Sequence, residues 1–437
     1  MFNMLRPAES RQCDGTSRRD FMQIGTLGVA GLTLPDLLRA RAAQTNTPSA
    51  KTRSTSVVWL WLGGGPTHVE TFDPKPDAPV EFRSTVGSVK TKIPGIELGS
   101  VFPKLAGVMD HAAVVRSFAH RNSGHGGGTH FVMTGYDFVA ADNGGTPIKP
   151  GHGATLARHR GPSNARTGLP TYIRMSNILA DGPSWLGTPY APFDVGGKSR
   201  QNMNLSVAAN RVEERRNLMK SLDDVQREID RSGLMAGMDS FETQAFDLIL
   251  SQARDVFDLT KETPAMHERY GKSSIGDQLL MARRLCQAGV GFVTLNYGGW
   301  DMHGNIAKSI TAKAPPMDQA ISAFIQDTVE QGMDKDVLLV ITGEFGRTPR
   351  INMNAGRDHW APLSTLALAG GGLRMGQAVG ESTSKAETPK SKPISPQDLM
   401  ATVYHVLGIP QDLQYNDNSG RPMSMITSGQ PIRELVG

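Results

Sequence analysis

More than half of the histidines in this sequence fall in polar stretches that follow apolar, β-rich runs, directly or shortly after. The run SVVWLWL (56–62) leads into GGGPTHVETFD, with His68, Glu70 and Asp73. AAVVRSF (112–118) leads into AHRNSGHGGGTH, with His120, Arg121, Ser123, His125, Thr129 and His130. GFVTLNY (291–297) is followed by Asp301 and His303, and DVLLVIT (336–342) by Glu344 and Arg347. Asp358 and His359 come shortly after. Imidazoles and carboxylates arriving from several loops suit a divalent ion, zinc first, then iron, manganese or calcium. Such an ion polarises a phosphoryl or sulfuryl oxygen and lowers the pKa of bound water.

The residue types suggest a division of roles. Asp301-x-His303 follows a Gly-Gly turn that lets both side chains face one point, which favours ligation over a capped turn. Asp358-His359 reads the same way, against a purely structural hydrogen bond. Glu344 is either a ligand or the cap of a following helix. His68 is the ligand candidate after the first run. The planar fork of Arg347 suits an oxyanion. His120, Arg121 and His130 lie in a glycine-rich loop whose backbone could cradle an anion at the start of the next helix. Ser123, Thr129 and His125 are the groups expected to attack or assist. His152, His159, His267 and His405 read as surface or satisfied core residues.

These side chains need elements to position them. Apolar runs without polar alternation suit strands covered on both faces, as in a parallel sheet. Helical patterns at 275–289 and 316–332 precede the third and fourth strands, the second pattern closing on Gly332. A further helix opens with Ser395 as N-cap and Pro396 at its first position. This alternation predicts an α/β sandwich with a mostly parallel sheet. Every polar cluster then stands at the C-terminal strand edge, where such sheets bind ligands. The charge-dense stretch 208–233 predicts a solvated helix within an excursion over about 200–270.

The chain as a whole narrows the choices. With 437 residues it can bury a large core, and a net charge of +4 without aromatic-interleaved basic blocks argues against nucleic-acid binding. Cys286 lies in an apolar helical stripe and reads as an inert core thiol. Near the start, Arg18-Arg19, a short apolar run and Ala40-Arg41-Ala42 describe a twin-arginine export signal over 1–42, followed by a linker at 43–55. The expectation is a domain over 56–437 that is exported folded through the twin-arginine translocase, metal already loaded, to the periplasm or cell surface.

Taken together, GGGPTHVETFDPKPDAP, GGWDMHGN, GEFGRTP, GRDHWAP and the ending from QDLMATVYHVLGIP onward resemble domain-of-unknown-function family 1501. This is the twin-arginine-exported branch of the alkaline phosphatase/sulfatase superfamily. The resemblance implies a three-layer sandwich and a metal-dependent site hydrolysing phosphate or sulfate esters of small molecules or polysaccharides. It places Asp301, His303, Glu344 and His359 at ligand-bearing strand ends. Three departures stand out. Gly63-Gly64-Gly65 replaces the ligand-bearing Asp after the first strand, leaving His68 or Asp73 to substitute. Phe345 takes the place of a second imidazole, and His125 stands where sulfatases carry a Cys or Ser nucleophile. The departures favour, as the alternative, a non-catalytic exported binding or assembly protein that keeps the fold; a phosphomutase-like transferase is the third option, which export disfavours.

Overall fold

The computed structural model describes residues 55–195 and 252–437, all within a unit spanning Ser54–Gly437. The leader at 1–42, the linker to residue 54 and the charged helix at 208–233 lie outside the described residues. Of the expected excursion, only 252–270 is described, as two 3₁₀ turns and the helix Pro264–Tyr270.

Eight strands form the central sheet: β1 (Ser56–Trp61), β2 (Ala112–Val115), β3 (Tyr172–Arg174), β4 (Phe193–Asp194), β5 (Phe292–Asn296), β6 (Val337–Thr342), β7 (Leu366–Gly370) and β8 (Gln377–Val379). They lie in the order β8-β2-β7-β6-β1-β5-β3-β4. Only β7 runs against its neighbours, pairing antiparallel with both β2 and β6. The sheet is therefore mostly parallel.

β1 is buried along its whole length, which is why its sequence shows no polar alternation. Alternate residues feed two cores. Val58 and Leu60 join a cluster with Leu279 and Leu285 of α3 (Ser274–Gln287) and with Met317, Ile321 and Phe324 of α4 (Ile306–Glu330). Val57, Trp59 and Trp61 join the opposite cluster. That one takes Val132 of α1 (His125–Thr134), Leu156 of α2 (His152–Arg160) and Leu399 and Val403 of α5 (Pro396–Leu407). Helices cover both faces, so the architecture is a three-layer α/β sandwich.

Helix starts follow their caps where the sequence supplies them. The Ser395 hydroxyl accepts from the Asp398 amide, and the Asp398 carboxylate accepts from the Ser395 amide, a complete capping box. α4 departs from expectation. It begins ten residues before Pro316, carries Pro315 and Pro316 inside, and ends at Glu330 with Gln331 as C-cap rather than Gly332. The Cys286 thiol is buried, and burial pushes its pKa up to about 12, consistent with an inert core residue.

Candidate metal centre

Because β6, β1 and β5 are adjacent, the loops leaving their C-terminal ends lie side by side. The β5 loop carries Asp301 and His303, and the β6 loop carries Glu344 and Arg347. Two residues of that loop, Gly346–Arg347, pair antiparallel with His359–Trp360, which sets His359 opposite Arg347. α1 begins at His125 and brings that ring in from the β2 side. The β1 loop supplies backbone instead of a ligand. Gly64 has φ +113, and a Cβ there would stand 2.5 Å from the Asp301 amide. Only glycine lets the two loops approach so closely.

Four side chains converge at these loop ends. His303 Nε2 lies 2.9 Å from Asp301 Oδ1, and His359 Nε2 lies 3.2 Å from the same oxygen. His125 Nε2 is 3.4 Å from Asp301 Oδ2, and the Nε2 atoms of His303 and His359 are 3.1 Å apart. His125, Asp301 and His359 form a group able to hold a metal ion, and His303 adjoins two of its members. Around an ion with bonds of about 2.0–2.1 Å, tetrahedral ligand atoms stand about 3.3 Å apart, close to these spacings.

The other nitrogen of each ring is already engaged. His125 Nδ1 donates to Glu344 Oε1 at 2.8 Å, His303 Nδ1 to Asp358 Oδ1 at 2.8 Å, and His359 Nδ1 to the Ser123 carbonyl at 2.9 Å. Carboxylate and carbonyl oxygens only accept, so the proton sits on Nδ1 in all three rings. Each ring in its neutral form therefore turns an Nε2 lone pair toward Asp301, and that of His303 accepts from Arg347. Three lone pairs and a carboxylate at these distances call for positive charge among them, which Arg347 supplies at Asp301 and His303 and a divalent ion would supply at all four. This donor set fits a divalent ion, with the hydrogen-bonded outer partners that orient metal-bound imidazoles.

Arg347 and the titrating groups set the local charge. Arg347 is fully buried and donates to the Gly65 and Arg357 carbonyls at 2.8 and 3.1 Å, and to His303 Nε2 at 3.3 Å. It also donates to the Gly64 carbonyl and to Asp301 Oδ1. Every guanidinium N–H is thus engaged within the protein, so Arg347 does not have the free fork expected for gripping an oxyanion. Partial burial pushes the Asp301 pKa up, but the Arg347 hydrogen bond and charge outweigh it and hold the carboxyl at about 2. The Glu344 hydrogen bond raises the His125 pKa, while burial followed by the Arg347 charge lowers that of His359.

Several expected site residues stand elsewhere or in other roles. Glu344 and Asp358 hold imidazoles rather than joining the four converging side chains. Glu344 also accepts from the Gly64 amide at 2.8 Å. His68 is buried, donates from Nε2 to the Ala386 carbonyl at 3.0 Å, and is not among the converging rings. Asp73 pairs with Lys75 at 3.2 Å and Arg116 at 3.4 Å. The Thr129 hydroxyl donates to the His125 carbonyl at 2.6 Å, a bond internal to α1. Ser123 stands beside the cluster, its hydroxyl accepting from the Ala361 amide at 3.0 Å. His130 is buried and bonded to the Tyr136 carbonyl and the Ile148 amide. His120 packs between Phe118 and Phe131, with burial lowering its pKa to about 4. Arg121 faces solvent and lies 3.5 Å from Asp137.

The glycine run before Thr129 serves packing. A Cβ on Gly126 would stand 2.2 Å from the Ala141 carbonyl, and the Gly127 amide donates to Asp142 at 2.7 Å. The chain's own carboxylate therefore takes the amide expected to cradle an anion. Phe345 packs its ring 4.4 Å from His359 and 5.1 Å from His125, filling the place expected of a second imidazole. Two groups take roles that the sequence does not announce. His125 reads there as an attacking group rather than a ligand, although its place at a strand-end loop is visible. Arg357 is fully buried and paired with Glu70 at 2.8 Å, tying the His359 loop to the β1 loop. Nothing in its local pattern separates it from a surface arginine.

Residues 54–436 match the family model described as a protein of unknown function, DUF1501. No curated protein matches the sequence. Among solved structures, the chain is similar to the lipoteichoic acid synthase LtaP from Listeria monocytogenes, at 10% identity over 89% of this chain and 78% of that one, with a TM-score of 0.38. It is similar to the PsFucS1 sulfatase from Pseudoalteromonas sp., at 10% identity over 87% and 73%, TM-score 0.39. It is also similar to the alkaline phosphatase of the Antarctic bacterium TAB5, at 13% identity over 83% and 100%, TM-score 0.36.

Proposed function

The chain belongs to the DUF1501 family, and from that premise and the site's geometry we propose that it is a metal-dependent hydrolase of phosphate or sulfate esters. The observation that carries the reading is the convergence of three imidazole Nε2 atoms on Asp301, with every Nδ1 anchored. His125, His303, His359 and Asp301 would hold one ion. Three nitrogen donors favour zinc, with iron or manganese next, and disfavour calcium, which takes oxygen ligands. Bound there, the ion supplies Lewis acidity toward an ester oxygen and a lowered pKa for water.

The rest of the chemistry belongs to the chain. Glu344, Asp358 and the Ser123 carbonyl hold the rings in one tautomer. Arg347 keeps Asp301 ionised and fixes its direction. His125, Asp301 and His303 are each close to half exposed, which leaves substrate a path to the cluster. With the Thr129 hydroxyl tied into its helix, water is the attacking oxygen in this reading. The twin-arginine leader would carry the folded, loaded protein to the periplasm or cell surface.

The test is turnover of aryl phosphates and aryl sulfates by the metal-loaded full chain. Wild type should hydrolyse one class, Ser123→Ala should stay within about tenfold of it, and His303→Ala should lose activity. Loss of turnover in Ser123→Ala at unchanged metal content would replace water with a serine nucleophile. The closed guanidinium of Arg347 favours a second reading, a metal-holding binding protein without turnover. Bound metal with no hydrolysis of either class would select it.

A further inference from the structure

An anionic ester needs cations facing it, and Arg347 spends four of its five N–H groups on backbone carbonyls and Asp301. A second cation stands over the β5 loop that delivers Asp301. Lys313 of α4 holds its ammonium 4.0 Å from the centroid of the Tyr297 ring and 5.9 Å from that of Trp300. Trp300 is the residue directly before Asp301. The ammonium also lies 3.2 Å from where a Cβ on Gly299 would stand, and Gly299 has φ +85. Glycine at 299 thus leaves room for Lys313 over the turn that delivers Asp301.

Lys313 is half-buried, yet no carboxylate lies within ion-pair distance of it among the described residues. A desolvated ammonium without a partner is costly, and an aromatic face offsets only about 0.5–2 kcal/mol. Burial lowers its pKa, in keeping with a charge short of compensation. The amides of Gly298 and Gly299 likewise donate to no group among the described residues. A cation with three N–H donors and two adjacent free amides, on a turn two residues from a ligand, is the donor set an oxyanion requires.

We infer that Lys313 and the Gly298–Gly299 turn form an anion subsite beside the metal centre, taking a tetrahedral oxyanion of the substrate, phosphate or sulfate. The inference rests on the hydrolase reading above for its setting. Lys313 binds and orients; it takes no part in proton transfer. The ammonium stays over Tyr297, whose hydroxyl donates to the Lys313 carbonyl at 3.0 Å and so ties the loop to α4.

The experiment titrates inorganic phosphate and, separately, inorganic sulfate into the metal-loaded full chain by calorimetry, with metal content measured on the same samples. Lys313→Met keeps the stem and removes the charge. It should weaken the preferred anion about tenfold or more at unchanged metal content. Lys313→Arg should stay within about threefold of wild type, and Lys313→Gln repeats the comparison if the Met variant misfolds. The anion that binds wild type more tightly identifies the ester. Equal binding of both anions to wild type and to the neutral variants overturns the subsite. So does a metal-holding wild type that ignores both anions, while leaving the metal reading intact. A chain that holds no metal overturns both.

Discussion

Glu344 and Asp358 act through the imidazoles they hold. Each accepts from an Nδ1 at 2.8 Å and so decides which nitrogen of His125 or His303 carries the proton. Replacing the carboxylate by the isosteric amide keeps the shape but offers the ring a choice of partners. Glu344→Gln and Asp358→Asn should each weaken metal binding by about 10–100-fold while leaving some binding. Asp301→Ala, which removes a converging group, should abolish it. Competition against a chelator of known affinity separates the two patterns. An Asp358→Asn affinity equal to wild type would show that Asp358 does not set the tautomer of His303. The sequence makes the residue types of this site legible but not their division of labour. A carboxylate one bond from the ion and one behind a histidine look alike when only spacing is available. Which role each takes depends on β1, β5 and β6 lying side by side.

The strand-end turns are where the elements meet the chemistry. Gly64 lies in the turn where the resemblance leads one to expect an acidic ligand, and the geometry explains the glycine. At φ +113, with the Asp301 amide 2.5 Å from the Cβ position, any side chain must displace the β5 loop. Gly64→Ala should therefore lose metal binding as fully as a ligand variant, with the far-ultraviolet circular dichroism of wild type retained. Normal metal content in that variant would contradict the loop packing described. The strands β1, β2, β5 and β6 are legible in the sequence because burial on both faces removes polar alternation. The strands β3, β4 and β8 are two or three residues long and carry too little pattern to register. Pattern alone starts α4 late because Pro316 reads as a first-turn residue, whereas packing against α3 extends the helix back through both prolines.

At the scale of the molecule, acid stability follows from histidines buried in the neutral form. Burial lowers the pKa of His68, His120 and His152 to about 4, against 6.5 for a free side chain. Between those values the unfolded chain takes up protons that the folded chain refuses. Each contributes stability present in full above pH 6.5 and lost as pH falls through 4. Asp181 opposes them, since burial pushes its pKa up to about 6 despite Arg174, so the folded state binds its proton first. His125 and Asp318, whose pKa values are raised, act with Asp181, whereas His130, His159 and His359, lowered by burial, add to the loss, so the balance is a net loss. Urea midpoints of the metal-free chain should fall steadily from about pH 7 to about pH 4.5, and a flat profile would show that these rings are not held neutral.

Four side chains from three chain segments, the start of α1, the β5 loop and the hairpin after β6, converge to hold one ion. Metal analysis of the purified full chain by mass spectrometry, beside Asp301→Ala and His359→Ala, tests it most directly. Wild type should carry about one equivalent of zinc, iron or manganese and either variant almost none. A folded wild type that takes up no divalent metal when supplied with it, or variants that keep the full equivalent, would contradict it.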